Sequence, residues 1–342
     1  MNRRQARTVL AGSLLLVIGC VCAMSVGAVK VPPAAWWSLL WGGEEHSFQQ
    51  EAVLVVVRLP RVLLSLLAGA ALAVGGAAMQ ALFRNPLADP SLIGVSSGAG
   101  LLAAITITAT APLVAWLGAW AGVVALPLMA FTGAMCSALL VFGIARDGRR
   151  TNVAAMLLAG IGITAIAGAL TGLLTFTATD TQLRSITFWM LGSLGGADRT
   201  AIVIMLVAVP LPLIFLLGAH RPFNALALGE QQARYLGVNV ESVKRRAILA
   251  TAIMVGASVA LCGVIGFLGL VVPHVVRMWG GADNRYVLPA SMVGGALLLC
   301  LADTVARTLA APAEIPIGVI TALCGAPVFL YLLIRRKRAL VV

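Results

Sequence analysis

The sequence predicts an all-α, polytopic membrane protein with about ten transmembrane helices, and three observations carry that expectation. Hydrophobic side chains make up 61% of the 342 residues and charged ones only 11%, where a soluble domain carries roughly a quarter charged. Mean hydropathy is +1.01. Apolar runs near the ~20 residues needed to cross a hydrocarbon core recur along the whole chain.

In order, the candidate spans lie around Thr8–Ala28, Val62–Phe83, Leu92–Ala111, Val123–Ile144, Val153–Phe176, Ala201–Leu217, Ala247–Ile265, Leu268–Met278, Val287–Leu301 and Ile315–Ile334. Val62 to Phe83 has no ionisable side chain and at about 1.5 Å per residue reaches roughly 33 Å. The eighth segment is too short to cross alone, with Gly266 and Gly269 at its start and Pro273 inside it. Both ends are basic (Arg3, Arg4, Arg7; Arg335, Arg336, Lys337, Arg338). The positive-inside rule therefore puts both termini in the cytoplasm and demands an even number of crossings. With that topology 18 of the 24 lysines and arginines fall inside, leaving Lys30, Arg58, Arg61, Arg184, Arg199 and Arg307 outside. The high pI, near 10.5, then reflects topology and anionic lipid, since no aromatic-basic platform for nucleic acid accompanies it.

The start, three arginines and an apolar stretch ending Val-Ile-Gly-Cys, has the outline of a secretory or lipoprotein signal, but an uncleaved first span is expected. All six cysteines (Cys20, Cys22, Cys136, Cys262, Cys300, Cys324) fall in apolar spans without ligand spacing and read as core residues. The connection from Lys30 to Val57, with Pro32, Pro33, Trp36, Trp37, Trp41, Glu44 and Glu45, suits an outer interfacial belt. Small residues are dense in the spans, as in Gly75-Gly76-Ala77-Ala78, and predict tight helix packing.

Arg58 and Arg61 share a helical face, with Pro60 at the helix start. At an outer helix N-terminus they oppose both the positive-inside preference and the helix dipole, so an anionic partner is required. Docking to another protein, lipid phosphate, and local pairing all satisfy that requirement, and for Arg307 the local candidate is Asp303, four residues earlier. Past the second span, Arg84, Asn85, Pro86, Leu87, Asp89 and Pro90 form a proline-limited hinge. The longest inner loop, 219–246, offers Asn224 as a helix N-cap, a Glu230–Arg234 pair at i,i+4, Gly237 as a helix stop, and a second short helix after Asn239.

The stretch RLPRVLLSLLAGAALAVGGAAMQALFRNPLADPSLIGVSSGAG from Arg58 to Gly100, with LALGE and LGV in the inner loop, resembles the FecCD family, the permease subunits of bacterial ABC importers for haem, iron-siderophores and vitamin B12. The resemblance covers nearly the whole chain, implies one transmembrane permease domain over 1–342, and is nearest in wording to the haem-importing branch. It implies that Arg58, Arg61 and Arg307 dock onto glutamates of a periplasmic solute-binding protein. It implies that Leu226, Leu228, Gly229, Glu230, Ala233, Leu236 and Gly237 couple to the ATPase, a solvated loop being the plain reading. Arg84, Asn85, Pro86 and Leu87, with the Arg149-Arg150-Thr151-Asn152 segment, become cytoplasmic gates. Val153 and Ala154 stand where the family often has hydroxyl residues, which weakens the assignment of Thr151 and Asn152. The working unit it implies is two copies of the chain in the bacterial inner membrane, two ATP-binding subunits and one binding protein.

Two further signals are structural in character. His274 stands near a span with neither HxxxH nor HExxH, so no metal is expected. In RSITFWMLGSL, Trp189 and Met190 read as interfacial packing ahead of ligand contact. None of the three lysines lies in a GxxxxGK[ST] loop, so the chain is expected to have no catalytic residues and no cofactor, with ATP and Mg²⁺ on the partner subunit. An ion-coupled secondary transporter, the competing class, needs a membrane-buried acid, and Asp303 is the sole candidate.

Overall fold

The structure, a computed structural model, describes residues 1–27, 31, 51–148 and 150–339. Lys30, Arg149 and the Pro32–Glu45 part of the expected outer belt lie outside the described residues. All ten expected segments are helical. In chain order the helices are α1 (Arg3–Ser25), α2 (Leu59–Phe83, entered through a π-helical turn, Val53–Arg58), α3 (Val95–Leu117), α4 (Ala119–Ile144), α5 (Val153–Thr177), α6 (Asp180–Leu191), α7 (Arg199–Ala208), α8 (Pro210–Gly218), α9 (His220–Ala227), α10 (Glu230–Tyr235), α11 (Val240–Cys262), α12 (Leu268–Gly280), α13 (Asn284–Leu309) and α14 (Ile317–Ala339). A two-residue antiparallel ladder, β1 (Arg146–Asp147) with β2 (Arg150–Thr151), turns the chain between α4 and α5.

Seven helical stretches among the described residues are long and apolar enough to cross a membrane unaided, and Val95–Thr110 and Ile317–Tyr331 are shorter apolar helices. The eighth segment is the 13-residue α12, about 20 Å at the helical rise. The sixth is jointed, α7 giving way to α8 where Pro210 follows Val209.

α2 is the axis of the bundle and is buried along nearly its whole length, which is why its apolar residues need no preferred face. Around it pack α13, α11, α12 and α7. The outer helices carry apolar side chains outward instead: Leu10, Leu14, Val17 and Ile18 of α1, Leu158 and Ile161 of α5, and Val207 and Leu211 of α7 and α8 stand exposed, as suits a chain whose surroundings are apolar. Close approach comes from glycine. A Cβ on Gly69 would strike the Gly295 carbonyl of α13, and one on Gly76 the Gly269 carbonyl of α12.

The start of α12 shows how a proline within a helix is accommodated in an apolar bundle. Pro273 has no N–H for the Gly269 carbonyl one turn back. The buried Gln80 of α2 supplies donors instead, its Nε2 lying 3.4 Å from Gly269 O and 3.1 Å from Leu270 O. Arg277 donates in turn to Gln80 Oε1. At its other end α12 is tied to α1: the Gln5 amide donates to Gly280 O at 2.8 Å while completing a capping box with Asn2.

Gly76→Leu should abolish recovery of folded, monodisperse protein in detergent, since backbone cannot yield as a flexible side chain can. Gly143→Ala, where an added Cβ meets nothing within 4 Å, should match the wild type by size-exclusion profile and thermal melting. Equal yields for the two would contradict the packing described.

Candidate functional site

Polar side chains gather at the two ends of the bundle. At one end Arg58 and Arg61 stand beside Arg307 near the end of α13; helical geometry continues ahead of them through the π-turn to Glu51, so Pro60 does not start the helix and the pair is not at a helix N-terminus. Arg61 is 7% exposed and Arg58 3%. Arg61 Nε lies 2.8 Å from Asp303 Oδ1 and its Nη1 2.7 Å from Glu314 Oε1. Arg58 donates to Met24 O and Arg307 to Ala23 O, carbonyls in the last turn of α1 that have no helical donor of their own. The C-terminal end of α1 and two carboxylates thus supply the negative charge that three arginines at this end require. The Asp303–Arg307 pair exists at 3.8 Å, but the nearer partner of Asp303 is Arg61. The structure brings these arginines together and holds each by local bonds. Glu314, whose side chain is 44% exposed, is the member open to water.

At the opposite end α2 stops at Arg84, in left-handed geometry (φ 49°). The Asn85 side chain accepts from Leu87 N at 2.9 Å, and Asp89 caps the short 3₁₀ turn Pro90–Ile93 through Ser91 N, so the hinge between Pro86 and Pro90 is closed by its own side chains. The loop 219–246 folds into α9 and α10 with Gly229 between them at φ +118°. Arg84 Nη1 lies 3.9 Å from where a Gly229 Cβ would sit, so the hinge and the loop meet. α10 ends in a Schellman arrangement: Gly237, at φ +80°, donates to Arg234 O and Val238 to Ala233 O.

Within the loop, Leu226 and Ala233 face the bundle and are buried, whereas Leu228, Tyr235 and Leu236 are exposed. Large apolar groups standing free on a short polar loop mark a surface that another chain covers. The expected Glu230–Arg234 pair is present at 3.7 Å. Two details of the loop need correction. Asn224 lies inside α9 and caps nothing there; its amide joins α9 to α13, donating to Asp283 Oδ1 at 2.7 Å and accepting from Asn284 N at 2.9 Å. Asn239 does cap a helix, through Ser242 N, but the helix is the long α11 rather than a second short one. The Arg285 backbone N–H and the Asn224 amide hold the Asp283 carboxyl below the usual carboxylate range, so its contribution is complete at neutral pH and fades only in acid, as the pH falls through that lowered value.

The second expected gate divides in two. Asn152 caps α5, accepting from Ala154 and Ala155 N at 2.9 and 3.2 Å. Thr151 is buried and turns its backbone to α11: its N–H donates to Glu241 Oε2 and its carbonyl accepts from Lys244 Nζ, both at 2.9 Å. Lys244, which also lies 2.7 Å from Glu230 Oε1, is the residue sequence reasoning missed. As one basic residue among five in the inner loop, it carried no signal of burial. The Trp189 carbonyl lies against Gly263 and the Met190 side chain against Gly100.

Residues 15–335 match the FecCD transport family. The chain belongs to that family. This FecCD chain is 44% identical over 340 residues to the hemin transport system permease protein HmuU of Yersinia pestis, covering 98% of each. It is 41% identical over 338 residues to the vitamin B12 import system permease protein BtuC of Salmonella typhi, again 98% of each. A solved structure of an inward-facing metal-chelate type ABC transporter matches with a TM-score of 0.83 and 31% identity, over 96% of this chain and 99% of that one. The chain is thus a multi-span transport permease, and its two polar ends are the ends of a transport bundle.

The Arg61–Asp303 pair, with both side chains nearly inaccessible, yields a test at the first end. Removing one member leaves a buried charge, a loss of about 3–5 kcal/mol. Arg61→Met and Asp303→Leu should therefore each lower the thermal midpoint, and their combination should lower it by clearly less than the two losses added. Strictly additive losses would contradict the pairing.

Proposed function

We propose that this chain is the membrane permease of a bacterial inner-membrane ABC importer for haem or a ferric-siderophore-type chelate, its ATP and Mg²⁺ held by separate subunits. Haem is the cargo favoured, on the 44% identity to the hemin permease. The observation that carries the energy-coupling part is the Gly229–Glu230 turn, set against the Arg84 hinge at the end of the central helix and flanked by exposed Leu228 and Leu236. A motor seated on those side chains pushes on a turn that is already in contact with α2.

In this reading the permease is no enzyme, both termini lie in the cytoplasm, residues 1–342 form one transmembrane domain, and two copies work with two ATP-binding subunits. The turns Arg84–Leu87 and Thr151–Asn152 border the cytoplasmic mouth. A periplasmic solute-binding protein docks at the other end, where a partner carboxylate can take the place of half-exposed Glu314 beside Arg61 and reach Arg58 and Arg307. Ion-coupled transport loses its one acidic candidate, because Asp303 is engaged by Arg61 and Arg307.

Reconstituted with its ATPase and binding protein, the chain should accumulate haem in proteoliposomes in a vanadate-sensitive manner that survives an uncoupler. Accumulation by the chain alone, driven by an ion gradient, would refute the proposal, and transport of vitamin B12 but not haem would refute the cargo. Gly229→Val places a β-branched residue at φ +118° with its Cβ on the Gln232 amide. Uptake by that variant should fall at least tenfold, read as ATP-dependent accumulation at matched protein; undiminished uptake would count against the turn.

A further inference from the structure

Lys244 is fully buried and still carries an ammonium with three donors to satisfy. Its Nζ lies 2.7 Å from Glu230 Oε1, 2.9 Å from the Thr151 carbonyl and 3.6 Å from Glu241 Oε1. Glu241 accepts the Thr151 N–H at 2.9 Å, and Arg234 closes the ring at 3.7 Å from Glu230 and 3.5 Å from Glu241. The Thr151 backbone is therefore gripped at both its N–H and its C=O. Three segments meet here: the turn between α9 and α10, the first turns of α11, and strand β2, some 90 residues earlier in the chain.

We propose that Lys244 is the positioning residue that makes the position of the Thr151 segment follow the position of Glu230, and so transmits movement of the 229–230 turn to the β1–β2 connection. This rests on the coupling role assigned to that turn above. The physical ground is that a buried ammonium cannot be left unpaired. If Glu230 moved away alone, Lys244 would lose its closest counter-charge while shielded from water, so the cheaper course is for the three segments to move together. Because the grip is on backbone, the Thr151 side chain need not take part. Fold stability alone is a poor reason for such a pair, since well-packed apolar substitutes for buried ion pairs are often as stable. A link that must hold while a loop is displaced is a better one.

The test is the number of ATP molecules hydrolysed per cargo imported in the reconstituted transporter. Lys244→Met with Glu241→Gln removes the buried ammonium and the carboxylate on its own helix, and leaves Glu230 of the coupling turn unchanged. That variant should assemble with its ATPase, hydrolyse ATP within about twofold of the wild type, and import roughly tenfold less cargo per ATP. Lys244→Arg, which keeps a cation and donors, should recover at least half of the uptake, a rescue that loss of packing would not permit. Glu241→Gln, on a half-exposed side chain, should raise the ratio by a smaller factor and serves if the double variant does not assemble. A wild-type ratio in the double variant, or in Glu241→Gln where the double variant fails to assemble, would overturn the link. So would failure of Lys244→Arg to rescue. A wild type without ATP-dependent uptake would instead sink the importer reading, before any variant is compared.

Discussion

One constraint governs the structure: with no water in the hydrocarbon layer, every backbone and charged group of the central helix must find its partner within the protein. α2 runs through the middle of the bundle with almost no solvent contact. Its packing relies on glycines where it touches α12 and α13, because dispersion between closely approached backbones replaces the hydrophobic force that is missing in lipid. Its buried Gln80 serves the Gly269 carbonyl, which Pro273 leaves without a donor in α12, and the Leu270 carbonyl beside it. The proline in α12 and the glutamine in α2 are two halves of one solution. Either alone would bury an unsatisfied group.

Both polar ends grow from the same helix. Arg61, near one end of α2, joins α13 to the chain ahead of α14 through Asp303 and Glu314; Arg84 closes α2 and lies beside Gly229. A rigid, glycine-packed rod with a charged fitting at each end suits a protein that must relate events on the two faces of a membrane. The fittings differ in kind. At the Arg61 end three arginines are held by two carboxylates and by helix-terminal carbonyls, with Glu314 open to water. At the Arg84 end the loop presents Leu228, Tyr235 and Leu236 to the exterior, a surface unfinished in the isolated chain.

The helical architecture was legible because hydrophobic runs near 20 residues have few alternatives in a chain this apolar. All ten expected segments are helices, but the eighth runs through Gly269 and Pro273 and is bounded instead by Phe267 and Gly281, both at positive φ. Local chemistry was legible where partners are close in sequence, as for Glu230 with Arg234 or Gly237 after α10. It failed where the partner is remote. Asn224 has the composition of a cap, yet its partners are Asp283 and Asn284. The anion demanded by Arg61 was foreseeable, but not that it would come from Asp303 and Glu314, more than 240 positions later.

Lys244 shows the same limit most sharply. In a list of basic residues it is indistinguishable from Arg245 and Arg246, its immediate neighbours, which are exposed. Helical rotation separates them: about 100° per residue turns one side chain inward while the next two face out. Glu241, three positions before Lys244, falls on the same face and pairs with it. Once that face of α11 meets β2, a single inward lysine can hold the backbone of a strand and the carboxylate of a loop at the same time. Charge counting alone sees a basic loop beside a membrane. Only the fold turns one of those charges into a joint between moving parts.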